Sequence, residues 1–520
     1  MKNLFLITVF LLSLSINLQA QTPEQKLHTD SLKAFILTPA PAETPRINGA
    51  TIFGVRPNAP FLYLIPASGK RPMTFKVSNL PTGLKVDEST GIITGSISNP
   101  GEYKVKIWTE NEKGKAEKDF KIVVGEQIQL TPPLGWNSWN CWATSVSQEK
   151  TLISARAMAS SGLSQHGFCY VNMDDGWQGE RGGKFNALMP DLKKFPDMKA
   201  MCDEIHAMGL KVGIYNTPWV KSYGGRLGGS SENEKGLKDS VFLRKAKFNQ
   251  KMLPYHIGKY SFAKQDAQQY AEWGIDYLKY DWAPNETPET KEMYEAMRAT
   301  GRDIVLSLSN NSTQTALKNA PEFSKYAQLW RTTGDITDTW KSVSGIGFNQ
   351  DKYAFLQKPG QFNDPDMLIV GYVGWGKPHP TRLSADEQFT HISMWCLLSA
   401  PLLIGCEMDK LDPFTLSLLT NDEVLEIDQD MLCKQALKVD KQGDMEIFAK
   451  PLEDGSIAVG LFNRGLVTTK AVANWDKLGI NGKQTVRDLW RQKNLGVFET
   501  KFEAEVNPHG VVLVKITPEK

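Results

Sequence analysis

The sequence is poor in several features that would narrow its function at once. Its charge has almost no sign: 60 Lys and Arg face 58 Asp and Glu, a net of +2. Such a balance gives no electrostatic case for nucleic acid as the main partner. Cysteine is scarce, six in 520 residues with no CxxC pair. That excludes a disulfide scaffold, although an exported chain could still bridge some of them. The seven histidines do not cluster and no HExxH occurs, so no zinc site is indicated. No GxGxxG follows any apolar run, which disfavours an open doubly wound sheet. Past the first residues, no apolar run reaches the roughly 20 residues that span a bilayer.

What is present begins with an address. Residues 1–20, MKNLFLITVFLLSLSINLQA, carry one Lys, an apolar stretch from Leu4 to Leu12, then small and polar residues to Ala20. This order predicts a signal peptide cleaved after Ala20, a secreted or periplasmic chain, and no membrane span once it is removed. Residues 21–45 are polar and contain Pro39, Pro41 and Pro45, which reads as a linker. From 46 to 126, short β-rich runs such as FLYLIPA, MTFKVSN and EYKVKIWTE alternate with Gly, Pro and Asn turns. That spacing predicts a small Ig-like β-sandwich with a spacing or binding role. Residues 432–520 are again β-patterned (MEIFAKPL, SIAVGLFNRG, GVVLVKI) and predict a second antiparallel β-sandwich.

The middle, 130–430, alternates apolar runs with amphipathic stretches. Eight runs stand out: PLGWNSW, FCYVNMDD, LKVGIYNT, IDYLKYD, DIVLSLSN, QLWRTTGD, DPDMLIVG and PLLIGC. Eight β/α units in this length predict a (β/α)8 TIM barrel, so the fold class is α/β with a β-sandwich on either flank.

In such a barrel the chemistry lies at the C-terminal ends of the strands. Here those ends are acidic. They carry Asp174 and Asp175, Lys279 and Asp281, and Arg331 and Asp335, while the seventh run opens on Asn363, Asp364 and Asp366. Converging carboxylates cost free energy unless paired, so they need an explanation. Two carboxylates could cleave a glycosidic bond. Asp174, Asp175, Asp281 and Asp366 could instead gather a divalent metal. A sugar-binding barrel without catalysis is a third reading. Aromatic residues near the strand ends (Trp136, Trp139, Trp177, Tyr215, Trp219 and Trp282) favour a sugar ligand. More plainly, Asp281 and Asp335 could be ion-pair partners of Lys279 and Arg331, Asp174 a helix cap, Tyr215 and Trp219 packing, and Asp364 the residue that fixes a turn before Pro365.

The segments LGWNSWN, VNMDDGW, GLKVGIY, LKYDW, WRTTGDITDTW and FNDPDMLIVG occur in this order through 131–430. Together they resemble glycoside hydrolase family 27, the melibiases or α-galactosidases. The resemblance implies an exo-acting retaining enzyme that acts on terminal α-galactosides through a covalent glycosyl-enzyme intermediate. It places the nucleophile on Asp281 and the acid/base on Asp335. It gives Asp174 and Asp175 to the galactose 4- and 6-hydroxyls, and Lys279 and Arg331 to other hydroxyls. Trp139 would stack on the sugar, with Tyr215, Asp366 and Met367 lining the pocket. No metal or organic cofactor is implied. Physically, Lys279 is expected to lower the pKa of Asp281, and the surroundings of Asp335 to raise its own.

Departures from the family pattern sharpen the expectations. Gly176 and the stretch Trp282-Ala283-Pro284 stand where many members carry Cys, so the usual pocket disulfides are expected to be missing. The third β/α loop, 217–262, is long and rich in Gly, Lys and Ser, and should shape the leaving-group side. After the fifth strand, galactosidases of animal type place a Glu, and this sequence has Ser309. A small residue there is what the related α-N-acetylgalactosaminidases use. Hydrolysis of an N-acetylgalactosaminide is therefore an alternative expectation, and β-L-arabinopyranosidase, another family activity, is a second. The sequence sets no oligomeric state.

Overall fold

The computed structural model describes residues 31–236, 255–310 and 312–519. The expected signal peptide, the start of the linker and part of the third β/α loop lie outside them.

Eight parallel strands form the central sheet: β1 (Leu134–Asn137), β2 (Tyr170–Asn172), β3 (Lys211–Asn216), β4 (Tyr277–Asp281), β5 (Val305–Ser309), β6 (Leu329–Arg331), β7 (Phe362–Asp364) and β8 (Leu402–Ile404). They are hydrogen-bonded in chain order from β1 to β7, and β8 joins β1. A parallel bridge between Leu368 and Ile404 links the β7 and β8 ends, closing a TIM barrel. The strands are almost wholly buried, as barrel strands wrapped by helices must be.

Seven longer helices surround the strands: α1 (Gln148–Ser160), α2 (Met198–Ala207), α3 (Ala263–Trp273), α4 (Thr287–Ala299), α5 (Thr313–Phe323), α6 (Trp340–Gly347) and α7 (Ala385–Leu397). Their starts are legible in sequence. Ser147, Asp197, Ser312 and Thr339 each accept a hydrogen bond from a backbone N–H three residues on. At α7, Ser384 and Glu387 form a reciprocal capping box. Almost all of α7 is buried, because it is covered by the barrel on one side and the C-terminal sandwich on the other. Trp490 of that sandwich donates its indole N–H to Ser393 Oγ at 2.9 Å.

The seventh run departs from its expected register. The strand is Phe362–Asp364, and the apolar residues 367–370 are core packing that follows it. Asp364 therefore ends the strand and Asp366 follows it, on the same rim as the other acids, rather than opening it.

The N-terminal sandwich has a four-stranded and a three-stranded sheet around Phe75, Ile93, Ile107 and Ile122. It docks on the end of the barrel where the strands begin. The Arg56 backbone N–H donates to Asp303, just before β5, at 2.9 Å, and Lys211 at the start of β3 lies over the Phe53 ring. That face is opposite the acidic rim. The described part of the linker is not free chain. Leu32, Ile36 and Leu37 pack on the barrel core, and Thr38 Oγ1 donates to the Ser417 carbonyl at 2.8 Å. The C-terminal sandwich holds a six-stranded sheet from Leu437 to Pro518.

Candidate active site

The chain turns from strand to loop at one end of the barrel, and a cavity of about 310 Å³ opens there. Its lining brings together Trp139, Asp174, Asp175, Tyr215, Lys279, Asp281, Arg331, Asp335, Asp366 and Met367. Every expected site residue except Ser309 is among them. Ser309 is the last residue of β5, buried and outside the lining. Asn310, one residue on, takes that place and donates its side-chain N–H to Asp281 Oδ1 at 2.6 Å. Asn310 has φ +65°, a left-handed conformation that Asn tolerates better than most residues. This turn swings its side chain into the cavity and leaves Ser309 behind.

Two cations divide the carboxylates. Lys279 Nζ bonds Asp174 Oδ2 at 2.8 Å, and the Asn137 side-chain amide donates to the same oxygen at 2.9 Å. Asp174 therefore caps no helix. Arg331 lies 2.8 Å from Asp366 and 3.2 Å from Asp335. Asp366 is further fixed by the Ile336 backbone N–H at 2.8 Å, and its φ of +81° is held by those contacts. Asp364 accepts the Asp366 N–H at 2.8 Å, which is the turn-fixing role expected of it. Among the described residues, no three His, Cys, Asp or Glu side chains are grouped as a metal cage.

Burial dominates the electrostatics. Asp281 is 4% exposed, and desolvation pushes its carboxyl up to about 7. Lys279 and the Tyr215 hydroxyl oppose that rise without overcoming it. Lys279 does lower Asp281, as expected, but it gives its hydrogen bond to Asp174, and the desolvation cost outweighs its effect, so the carboxyl still lies above the usual range. Asp175 is raised by burial, against the Gly224 backbone N–H that donates to it. Burial would lower Lys279 and Arg331, but the surrounding carboxylates more than offset it and both are held firmly protonated. Asp335 differs in kind, since its side chain is 63% exposed at the mouth.

Asp175 Oδ1 and Arg331 Nε are among the buried polar atoms at this site that lack a partner of hydrogen-bond geometry. Buried polar groups are normally satisfied, so these suit a ligand rich in hydroxyls. The aromatic supply is smaller than expected. Trp136, Trp177 and Trp282 are core residues, and Trp219 packs against Tyr223 and Tyr255 outside the lining. Only Trp139 and Tyr215 of the expected set face the cavity.

Sequence reasoning missed three lining residues: Asn140, Tyr223 and Asn310. Asn310 had a signal, since it follows a barrel strand directly. Tyr223 had none beyond its place in the third β/α loop. All six cysteines are free. Gly176 has φ +113°, and a Cβ there would stand 2.8 Å from the Thr144 backbone, so no Cys fits that turn.

Comparison with known proteins agrees with this geometry. The α-galactosidase A family model matches residues 131–234 and 230–430, and the α-galactosidase C-terminal β-sandwich model matches 442–516. An Ig-domain model matches 44–125. α-Galactosidase 2 of Arabidopsis thaliana is 34% identical over 77% of this chain and 93% of its own length. α-Galactosidase A of Cellvibrio japonicus is 32% identical over 76% and 93%. A crystal structure from Bacteroides fragilis superposes with a TM-score of 0.81 at 30% identity, covering 93% of this chain and all of that one.

Proposed function

Because the chain belongs to glycoside hydrolase family 27, the melibiases, we propose that it is an exo-acting, retaining α-galactosidase releasing terminal α-linked galactose. The observation that carries the reading is one cavity lined by Asp281 and Asp335 together with the Lys279–Asp174 and Arg331–Asp366 pairs. A small pocket with one exposed and one buried carboxyl suits removal of a single terminal sugar.

In this reading Asp281 attacks the anomeric carbon. Its burial strips water from the attacking oxygen, the Asn310 side chain holds it by a hydrogen bond, and the Tyr215 hydroxyl lies beside it. Asp335 protonates the departing oxygen, then activates the water that releases galactose. Arg331 positions Asp335. Asp174, Asp175 and Lys279 bind hydroxyls, and Trp139 covers a face of the sugar. The N-acetylgalactosaminide alternative rested on a small Ser309 at the pocket, and the residue that lines the cavity there is the larger Asn310. We also propose that the chain is exported, on the pattern of residues 1–20. Among the described residues no helix is long and apolar enough to cross a membrane.

The test is hydrolysis of nitrophenyl α-galactoside, α-N-acetylgalactosaminide and β-L-arabinopyranoside side by side. The α-galactoside should be turned over fastest. Preferred turnover of either of the others would replace the substrate, and no turnover of any would remove the enzyme reading.

A further inference from the structure

Tyr223, in the described part of the third β/α loop, lines one side of the mouth. The loop segment Ser222 to Arg226 is a tight hairpin: the Ser222 N–H donates to the Arg226 carbonyl at 2.9 Å, and the Arg226 N–H donates to Ser222 Oγ at 3.0 Å. The hairpin is pinned to the site by the Gly224 N–H on Asp175. A Cβ at Gly224 would lie 2.8 Å from Asp175 Oδ2, so only glycine permits this approach.

The pin presents Tyr223 at the rim. Tyr223 is 38% exposed, whereas Asp174, Asp175, Tyr215 and Asp281 beneath it are buried. Behind it stand Trp219, with ring centroids 5.3 Å apart, and Tyr255, at 5.4 Å. Trp219 and Ile257 are joined by an antiparallel bridge, which ties the two ends of the loop together behind the ring. Tyr223 is close enough to both Asp281 and Asp335 for each charge to act on its hydroxyl. The exposed acid marks the side on which the glycosidic oxygen departs, and Tyr223 shares that exposed rim.

We propose that Tyr223, braced by Trp219 and Tyr255, is the platform for the leaving group, and that it selects substrates whose galactose is linked to a second sugar ring or an aryl group. This rests on the α-galactosidase reading and names what lies beyond the galactose. A ring packed on an aromatic face gains contact area and excludes water, and a small leaving group gains neither.

The test compares the unaltered enzyme with Tyr223→Leu and Tyr223→Phe on an α-galactosyl disaccharide and on α-galactosyl fluoride, whose leaving group has no ring. Tyr223→Leu should lose about tenfold or more in kcat/KM on the disaccharide, mainly through KM. Its loss on the fluoride should be at least about fivefold smaller. Tyr223→Phe keeps the ring and should stay within about threefold on the disaccharide. Equal losses of Tyr223→Leu on both substrates would overturn the platform. So would a loss by Tyr223→Phe as large as the Leu variant's, because the hydroxyl and not the ring would then carry the effect. Should Tyr223→Leu fail to fold, Tyr223→Ala is compared with Tyr223→Phe on the same two substrates, and the same outcomes decide. If the unaltered enzyme cleaves neither substrate, the α-galactosidase reading itself fails, a distinct outcome.

Discussion

Lys279 reaches across the barrel mouth to Asp174, 2.8 Å away, although Asp281 lies two residues along its own strand. The cation thereby neutralises Asp174 and leaves Asp281, the proposed nucleophile, with the cost of its own burial. Lys279→Ala should strand a buried Asp174 whose remaining partners are amides. Breaking a buried pair costs about 3–5 kcal/mol. Denaturant unfolding should register a loss on that order, whereas a change within about 0.5 kcal/mol would make the pair energetically idle.

Asp281 yields a signed pH dependence. Its folded pKa, about 7, exceeds the unfolded value of about 3.9. Between these values the folded state holds the proton more tightly, so this group's contribution to stability is present at low pH and is lost as pH rises through 7. Asp281→Asn should therefore raise Tm at pH 8 and leave it nearly unchanged near pH 4. The reverse order would contradict the burial argument. As the proposed nucleophile Asp281 must also be ionised, so kcat/KM should fall on acidification below about pH 7.

Asp335 acts on the leaving group in this account. Asp335→Asn should lose far more on an α-galactosyl disaccharide than on a dinitrophenyl α-galactoside, whose leaving group needs no proton. General acid catalysis is worth roughly 10²–10⁴-fold, and the difference between the two substrates should approach that range. Equal losses would move the acid elsewhere.

Gly224→Ala should disturb the cavity without touching the barrel core. Its Cβ would meet Asp175 Oδ2 and Thr144 Cγ2, each at 2.8 Å. A rise in KM of about tenfold with Tm within a few degrees is expected. Unchanged kinetics would mean that the hairpin is not pinned in solution.

Much of this was legible in sequence, for physical reasons. Barrel strands must be apolar, and the polar groups that end them must converge on a rim, so Asp174, Asp281 and Arg331 announced themselves. The motif series supplied their roles. The seventh strand was read one step late because the apolar run 367–370 outweighed the shorter strand Phe362–Asp364. Ser309 was chosen over Asn310 because a strand's end is uncertain by a residue or two from pattern alone. The direction of the Asn310 side chain depends on its left-handed φ, which no spacing encodes. Most of the tryptophans misled because a large core and a sugar-binding surface call for the same residue. Tyr223 depends on a loop fold fixed by Gly224 and Asp175, partners 49 residues apart in sequence.

The central claim is retention through Asp281. Proton NMR of the anomeric signal during hydrolysis of nitrophenyl α-galactoside tests it most directly, with Asp281→Asn beside the unaltered enzyme. The account predicts α-galactose as the first-formed product, mutarotating later, and turnover abolished in the variant. β-Galactose appearing first, or turnover surviving in Asp281→Asn, would contradict it.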